Sequence, residues 1–261
     1  MGVSAAWDEA DAAAVRAIEA RYVGSPILVG LAGAQGSGKT TMAARLGQRL
    51  EHAGLRTGIL ALDDFYRTRA ERADLARTVH PLLATRGVPG THDLALIAGA
   101  IDALLAGREA RVPRFDKATD DRAPGKWRPI AAPVDVVLLE GWCIGARAQA
   151  SADLLTPVNP LERLEDADGR WRRWVNARLA TEYAALFGRL SLRMFLRAPS
   201  FDVVLRWRTE QEHELLSGGM NSPAIKRFIA HYERITRWML EDEPADLVID
   251  LDPVRTPTVR A

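Results

Sequence analysis

Cysteine is nearly absent from the 261-residue chain, where Cys143 stands alone. A single thiol closes no intramolecular disulfide and builds no cysteine zinc cluster, a pattern that suits a reducing compartment. Long apolar runs are missing too, since nothing approaches the roughly 20 residues that span a bilayer as a helix. Charge of one sign is not in excess: 35 Lys and Arg stand against 34 Asp and Glu, a formal net charge of +1. That balance gives no electrostatic reason to expect nucleic acid or an anionic membrane as the main partner. The N-terminus carries Asp8, Glu9 and Asp11 without a basic segment, so it does not read as a signal peptide. The expectation is a cytoplasmic protein.

What is present is the make-up of an ordinary globular protein, 48% apolar and 26% charged. The length suits one large α/β domain with an appended lid. Val15, Ile18 and Tyr22 recur at helical spacing, which predicts a helix over residues 8–22. Apolar runs at 27–31, 58–62, 134–139, 190–196 and 246–251 read as strands. Between them, helices are expected after residue 38 with Gly54 as the stop, over 94–105, over 171–187, and from Ser222 along Ile225, Phe228, Ile229, Tyr232, Ile235 and Met239. Residues 151–170, rich in Asp, Pro and Gly, read as an insertion or long loop. Apolar strands alternating with helices indicate an α/β fold, a mostly parallel sheet covered by helices on both faces. Ligands of such sheets sit at the carboxyl ends of the strands, where the acidic and Gly-rich clusters fall.

Gly33-Ala34-Gln35-Gly36-Ser37-Gly38-Lys39-Thr40 follows the first strand and opens a helix. This is the Walker A pattern in its required context, and it predicts a P-loop NTPase fold. Its glycines let backbone N–H groups turn toward phosphate oxygens at the positive end of the helix. Lys39 supplies a cation for the β- and γ-phosphates of ATP, and the Thr40 hydroxyl suits Mg²⁺. Thr41 completes the nucleotide-binding segment. Glu140 closes an apolar strand in the Walker B position, and Asp63-Asp64-Phe65-Tyr66 closes another. A carboxylate there can accept the proton of an attacking alcohol. One acid of the Asp63 and Asp64 pair is enough for that role, and the other then serves a turn or a cap. Thr40, Glu140 and Asp63 make up the candidate metal set. No Asn-Lys-x-Asp guanine-reading segment occurs; the Asp166-x-x-Gly169 match lies in the expected loop. These features favour a kinase over a GTPase switch.

With these residues in view, the chain resembles the phosphoribulokinase/uridine kinase family of P-loop kinases, through Asp63 to Tyr66 and through Glu140-Gly141. Further stretches are similar to the D-glycerate 3-kinases within it: residues 86–93, Pro113 to Lys117 with Asp121-Arg122, Trp142, Val175-Asn176, 207–212 and Gly219-Met220. The resemblance covers about residues 26–252. It implies Asp63 as the base, Asp93 on substrate hydroxyls, Arg208 from a lid helix within about 200–222, and Asn176 on the substrate side. A preference for adenine is implied in the same way, and Gly218-Gly219 are expected hinges. Trp207 stands where uridine kinases commonly have arginine, and Phe115-Asp116-Lys117 where they have a Tyr-Asp segment, which counts against a nucleoside.

The implied reaction is phosphoryl transfer from ATP to D-glycerate. A carboxylate acceptor needs cations, and Arg114, Lys117 and Arg122 are candidates. Pairing with Asp121 is the alternative for Arg122, and a solvated loop position for Lys117. Tyr66 and Trp142 read as pocket walls or core, His92 as a packed or loop histidine. Two other readings stay open. One is a kinase of the same family acting on pantothenate, a nucleoside or a sugar phosphate. The other is a P-loop ATPase or switch with a protein partner.

Overall fold

The structure, a computed structural model, describes residues 2–213 and 222–260, with 211–213 described by backbone alone. Gly218, Gly219 and Met220 therefore lie outside the described residues. Helix α1 (Val3–Glu19) precedes strand β1 (Ile27–Gly33), helix α2 (Lys39–His52) and strand β2 (Thr57–Ala61). Next come α3 (Arg69–Thr78), α4 (Leu94–Leu105) and the short strands β3 (Ala110–Val112), β4 (Phe115–Asp116), β5 (Asp121–Arg122) and β6 (Arg128–Ile130). Strand β7 (Val136–Gly141) is followed by α5 (Pro160–Glu165), α6 (Arg170–Arg178), a π-helical stretch Leu179–Tyr183 and α7 (Ala184–Phe187). The last elements are β8 (Leu192–Arg197), α8 (Phe201–His213), α9 (Ser222–Ala230), α10 (Glu233–Asp242), β9 (Leu247–Leu251) and β10 (Pro257–Val259).

The main sheet runs β10-β9-β8-β1-β7-β2, parallel throughout except for β10 against β9. Every residue of β1 is buried. Its side chains alternate between two cores: Leu28 and Ala32 pack with Leu60, Val137 and Leu139, whereas Val29 and Leu31 pack with Leu46, Leu138 and Leu196. Burial on both faces is why this strand reads as an unbroken apolar run rather than an alternating one. Each fully buried leucine or valine stabilises the sheet by about 1.5–3 kcal/mol, so the frame behind the strand ends is stiff.

Several expectations shift. Helix α1 begins at Val3, well before residue 8, because its buried face is Ala6, Ala10, Ala14 and Ile18, and alanines make a faint stripe. The stripe from Ile225 to Met239 is not one helix. It breaks at His231 and Tyr232, whose amides bond three residues back, to Phe228 and Ile229. Residues 151–170 are not a plain loop but hold a 3-10 turn at Ser151–Leu154 and helix α5, capped by Asn159 with Pro160 at its first position. Their polar composition is spent on buried pairs, Arg234 with Glu162 at 2.6 Å and Arg172 with Asp166 at 3.0 Å. Asp166 also accepts from the Trp171 amide at 2.7 Å, which accounts structurally for the Asp166-x-x-Gly169 match. Helix α3 carries little apolar periodicity and is held by a Thr68/Glu71 capping box and the buried Arg72. Among the described residues no helix is long and apolar enough to cross a membrane.

Candidate active site

Strand order sets the site. β7 lies between β1 and β2, and Glu140 is level with Leu31 on one side and Ala61 on the other. The ends of these strands therefore bring three segments together: the Gly-rich loop after β1, Glu140 in β7, and the 3-10 turn Leu62–Phe65 after β2, which carries Asp63. After β1 the chain turns toward β2; after β7 it crosses to β8 on the other side, leaving a crevice at the carboxyl ends.

The loop is shaped by Gly36 (φ 75°) and Gly38 (φ 87°), and Gly38 caps α2. A Cβ on Gly36 would lie 2.7 Å from the Cβ of Trp207, so α8 backs the loop at contact distance. Trp207 is fully buried, and its indole donates to the Pro253 carbonyl at 3.0 Å. Arg255, from the β9–β10 turn, donates to the Gly36 carbonyl at 2.7 Å and lies over the Trp207 ring. Trp207 thus serves as a buttress behind the loop. Ser37 Oγ and Gln35 Oε1 are buried without a hydrogen-bond partner, polar atoms left for a ligand in this cradle.

Thr40 donates to Glu140 Oε1 at 2.8 Å. Burial raises the Glu140 carboxyl above its ordinary value; Lys39 opposes this and the Asp63 charge adds to it. Among the described residues no cluster of His, Cys, Asp or Glu forms a metal cage. A hydroxyl and one carboxylate are nevertheless the hard-oxygen pair that suits Mg²⁺ bound to a nucleotide, because that ion keeps phosphate and water oxygens in its shell.

Asp63 faces this loop, half-buried, with both oxygens engaged. Tyr66 donates to Oδ1 at 2.6 Å and Lys117 to Oδ2 at 2.9 Å. Burial alone would raise its carboxyl, but Lys117, Lys39 and the two hydrogen bonds outweigh burial and hold it well below the usual carboxylate range. Asp63 is thus held ionised. Asp64 points elsewhere: it accepts from the Phe115 amide at 3.3 Å, and burial raises its carboxyl.

Behind Tyr66 stands a buried polar pillar. The His92 ring stacks on Tyr66 at 4.8 Å between centroids. Tyr183, presented by the π-helical stretch, accepts from the Gly90 amide at 3.0 Å, and its hydroxyl lies 2.6 Å from His92 Nδ1. His92 Nδ1 and the Tyr183 hydroxyl thus share one hydrogen bond inside the pillar. Burial pushes His92 down to about 3, which keeps it neutral. Packed as it is, His92 holds Tyr66, and Tyr66 holds Asp63.

The cavity at this point is lined by Gln35, Gly36, Lys39 and Thr40 on one wall and by Asp63, Tyr66, Arg86, Lys117 and Tyr232 on the other, with Trp142, Arg208 and Phe228 completing the lining. Arg86 pairs with Asp120 and lies over Phe115 and Phe228; Arg208 also lies over Phe228, at 5.6 Å. Tyr232 donates to the Arg86 carbonyl at 3.0 Å. A Cβ on Gly87 would fall 1.8 Å from the Tyr232 hydroxyl, so only glycine permits that approach.

Of the residues singled out from sequence, Gln35, Gly36, Lys39, Thr40, Asp63, Tyr66, Lys117, Trp142 and Arg208 share this cavity, and Glu140 reaches it through Thr40. Gly33, Ala34, Ser37 and Gly38 frame the loop, while Thr41 is exposed on α2. Asp93, Arg122, Arg114 and Asn176 do not join them. Asp93 caps α4 through the Leu96 amide and pairs with Arg122 at 2.9 Å, so the Arg122 guanidinium meets Asp93 rather than Asp121. Arg114 is exposed and lines an adjacent basin with Lys117 and Lys126. Asn176 clamps the backbone of Gln149 through both ends of its amide, at 2.8 and 3.0 Å. Arg86, Phe228 and Tyr232 were missed. Phe228 and Tyr232 sit on a stripe that reads as core, and only the neighbouring Gly87 hints at Arg86.

The Phosphoribulokinase / Uridine kinase family model matches residues 28–156. The uncharacterized kinase mug58 of Schizosaccharomyces pombe is 32% identical over 222 residues, covering 80% of this chain and 79% of that protein. The chloroplastic D-glycerate 3-kinase of Arabidopsis thaliana is 28% identical over 262 residues, covering 89% of this chain but 54% of that longer protein. Among solved structures, a D-glycerate 3-kinase from Cryptococcus neoformans superposes with a TM-score of 0.78 at 25% identity, over 90% of both chains. Strand order, Gly-rich cradle and relatives agree, and the chain belongs to the phosphoribulokinase/uridine kinase family of P-loop kinases.

Proposed function

We propose that the protein transfers the γ-phosphoryl group of ATP to the 3-hydroxyl of D-glycerate, giving 3-phosphoglycerate. The observation that carries this reading is the ionised Asp63 across one cavity from Lys39 and Thr40, with Arg86, Lys117 and Arg208 on the same cavity. The relatives named D-glycerate 3-kinase support the choice of acceptor.

In this reading the loop from Gly33 to Thr41 holds the phosphates, and its amides and Lys39 offset their charge. Mg²⁺ bound by Thr40 and Glu140 would screen the charge of the transferring group. Asp63 takes the proton of the acceptor hydroxyl as that oxygen attacks in line. Tyr66 fixes the orientation of the carboxylate. Arg208 reaches the transferring group, while Arg86 and Lys117 read the acceptor carboxylate. Asp93, Arg114 and Asn176 stand outside this assignment because their side chains lie elsewhere.

The test is ADP release from MgATP by the purified protein, alone and with D-glycerate, L-glycerate, pantothenate, uridine or ribulose 5-phosphate. Turnover with D-glycerate well above the others is expected. Turnover confined to another acceptor would sink the glycerate assignment, and hydrolysis needing no small acceptor would sink the kinase assignment.

A further inference from the structure

The two partners of Asp63 differ in kind. Tyr66 is buried and wedged against His92, so its hydrogen bond is a fixture. The Lys117 side chain is 57% exposed and comes from the small β4–β5 hairpin, yet its ammonium covers the other carboxylate oxygen. The Lys117 end of this pair lies open to water, which screens it more than the buried Tyr66 bond. A charged competitor is enough to break it.

Lys117 also borders two spaces. One is the central cavity; the other is the open basin shared with Arg114 and Lys126. The basin also holds Asp116, but that carboxylate already accepts from the Ala118 amide at 2.9 Å and is offset by Lys126. The two remaining cations outnumber it, so an ammonium swinging that way gains little unless a further anion sits there. A neutral molecule gives Lys117 no reason to leave Asp63, whereas a carboxylate does.

We infer that Lys117 is an acceptor-operated cover on Asp63. It pairs with the base while the acceptor site is empty and moves to the acceptor's anionic group when one binds, freeing Oδ2 for the hydroxyl proton. The pairing thereby selects acidic acceptors over their neutral analogues and restrains transfer of the phosphoryl group to water. Released protons go to Asp63 in either case; only the attacking oxygen differs. The inference rests on the assignment of Asp63 as base made above.

The test compares MgATP hydrolysis without acceptor in the wild type, Lys117→Met, and Lys117→Met combined with Asp63→Asn, then kcat/KM for D-glycerate and for glycerol. Lys117 is exposed, so its replacement leaves the fold intact; circular dichroism and the melting temperature verify this. The expected result is a several-fold rise in acceptor-free hydrolysis in the single variant, lost again in the double variant. The preference for D-glycerate over glycerol should fall by about tenfold or more, the factor that 1.4 kcal/mol represents. Hydrolysis that stays level or drops in Lys117→Met, or survives in the double variant, overturns the inference, as does an unchanged preference for the acid. A wild type that ignores D-glycerate but shows the hydrolysis pattern would overturn the acceptor assignment alone.

Discussion

The two walls of the cavity are built differently. The nucleotide wall hangs on the sheet: Gly33 to Thr40 is one contiguous segment between β1 and α2, backed by the buried Trp207. The facing wall is gathered from distant places, with Asp63 after β2, Arg86 before α4, Lys117 on a hairpin and Tyr232 between two helices. In the proposed reading the first wall meets phosphates, a ligand feature common to P-loop enzymes, and the second meets the acceptor. Of the second wall only Asp63 follows a strand of the main sheet; Arg86, Lys117 and Tyr232 come from loops and a small hairpin.

Substitutions should separate the two walls. The largest effect is expected from Asp63→Asn, which should lower kcat by about two to four orders of magnitude with the Kd for ATP nearly unchanged. A matching loss of ATP affinity would instead assign Asp63 to the nucleotide wall. The pH dependence carries a definite sign. Because Lys117 and Lys39 hold Asp63 below the usual carboxylate range, it stays ionised as pH falls from neutral into that range. Carbon-13 detection of the Asp63 carboxyl should show no titration there in the wild type and an upward shift in Lys117→Met.

A smaller effect belongs to Arg86→Met. It should raise KM for D-glycerate about 10–100-fold, as expected for losing a charge-assisted hydrogen bond of about 1.5–3 kcal/mol, while the KM for ATP holds. A change confined to ATP would reverse its wall assignment.

Tyr183→Phe comes next. It leaves the Gly90 amide without an acceptor and His92 Nδ1 without its hydrogen-bond partner, at a cost of about 1–3 kcal/mol in denaturant unfolding. If the pillar positions Asp63, kcat falls as well while both KM values hold. Asn176→Ala should matter least for turnover: a modest loss of stability and no change in acceptor KM. A raised acceptor KM would extend the acceptor wall to the Gln149 segment.

Much of the nucleotide wall was legible in the sequence because its residues are consecutive and their spacing encodes the backbone they need. Glu140 and Asp63 were legible for a related reason, as each is a charge at the end of an apolar run. The acceptor wall was not, since nothing local links Arg86 to Tyr232 or tells Lys117 from Arg114. All three cations of the 114–122 stretch looked alike, yet one meets Asp63, one meets Asp93 and one faces outward. Asn176 holds both the amide and the carbonyl of Gln149, and Asp93 holds the Leu96 amide and the Arg122 guanidinium, uses that residue type alone does not reveal. Helix α1 and the 151–170 region were misjudged for opposite reasons: a buried face made of alanine, and buried ion pairs written in residues that usually face water.

The central claim is that phosphoryl transfer ends on an acceptor hydroxyl read by this second wall. Phosphorus-31 NMR of MgATP and D-glycerate incubated with the protein tests it directly. The account predicts ADP together with a phosphate monoester resonance coupled to the C3 protons of glycerate. ADP with inorganic phosphate alone, and no ester, would contradict it.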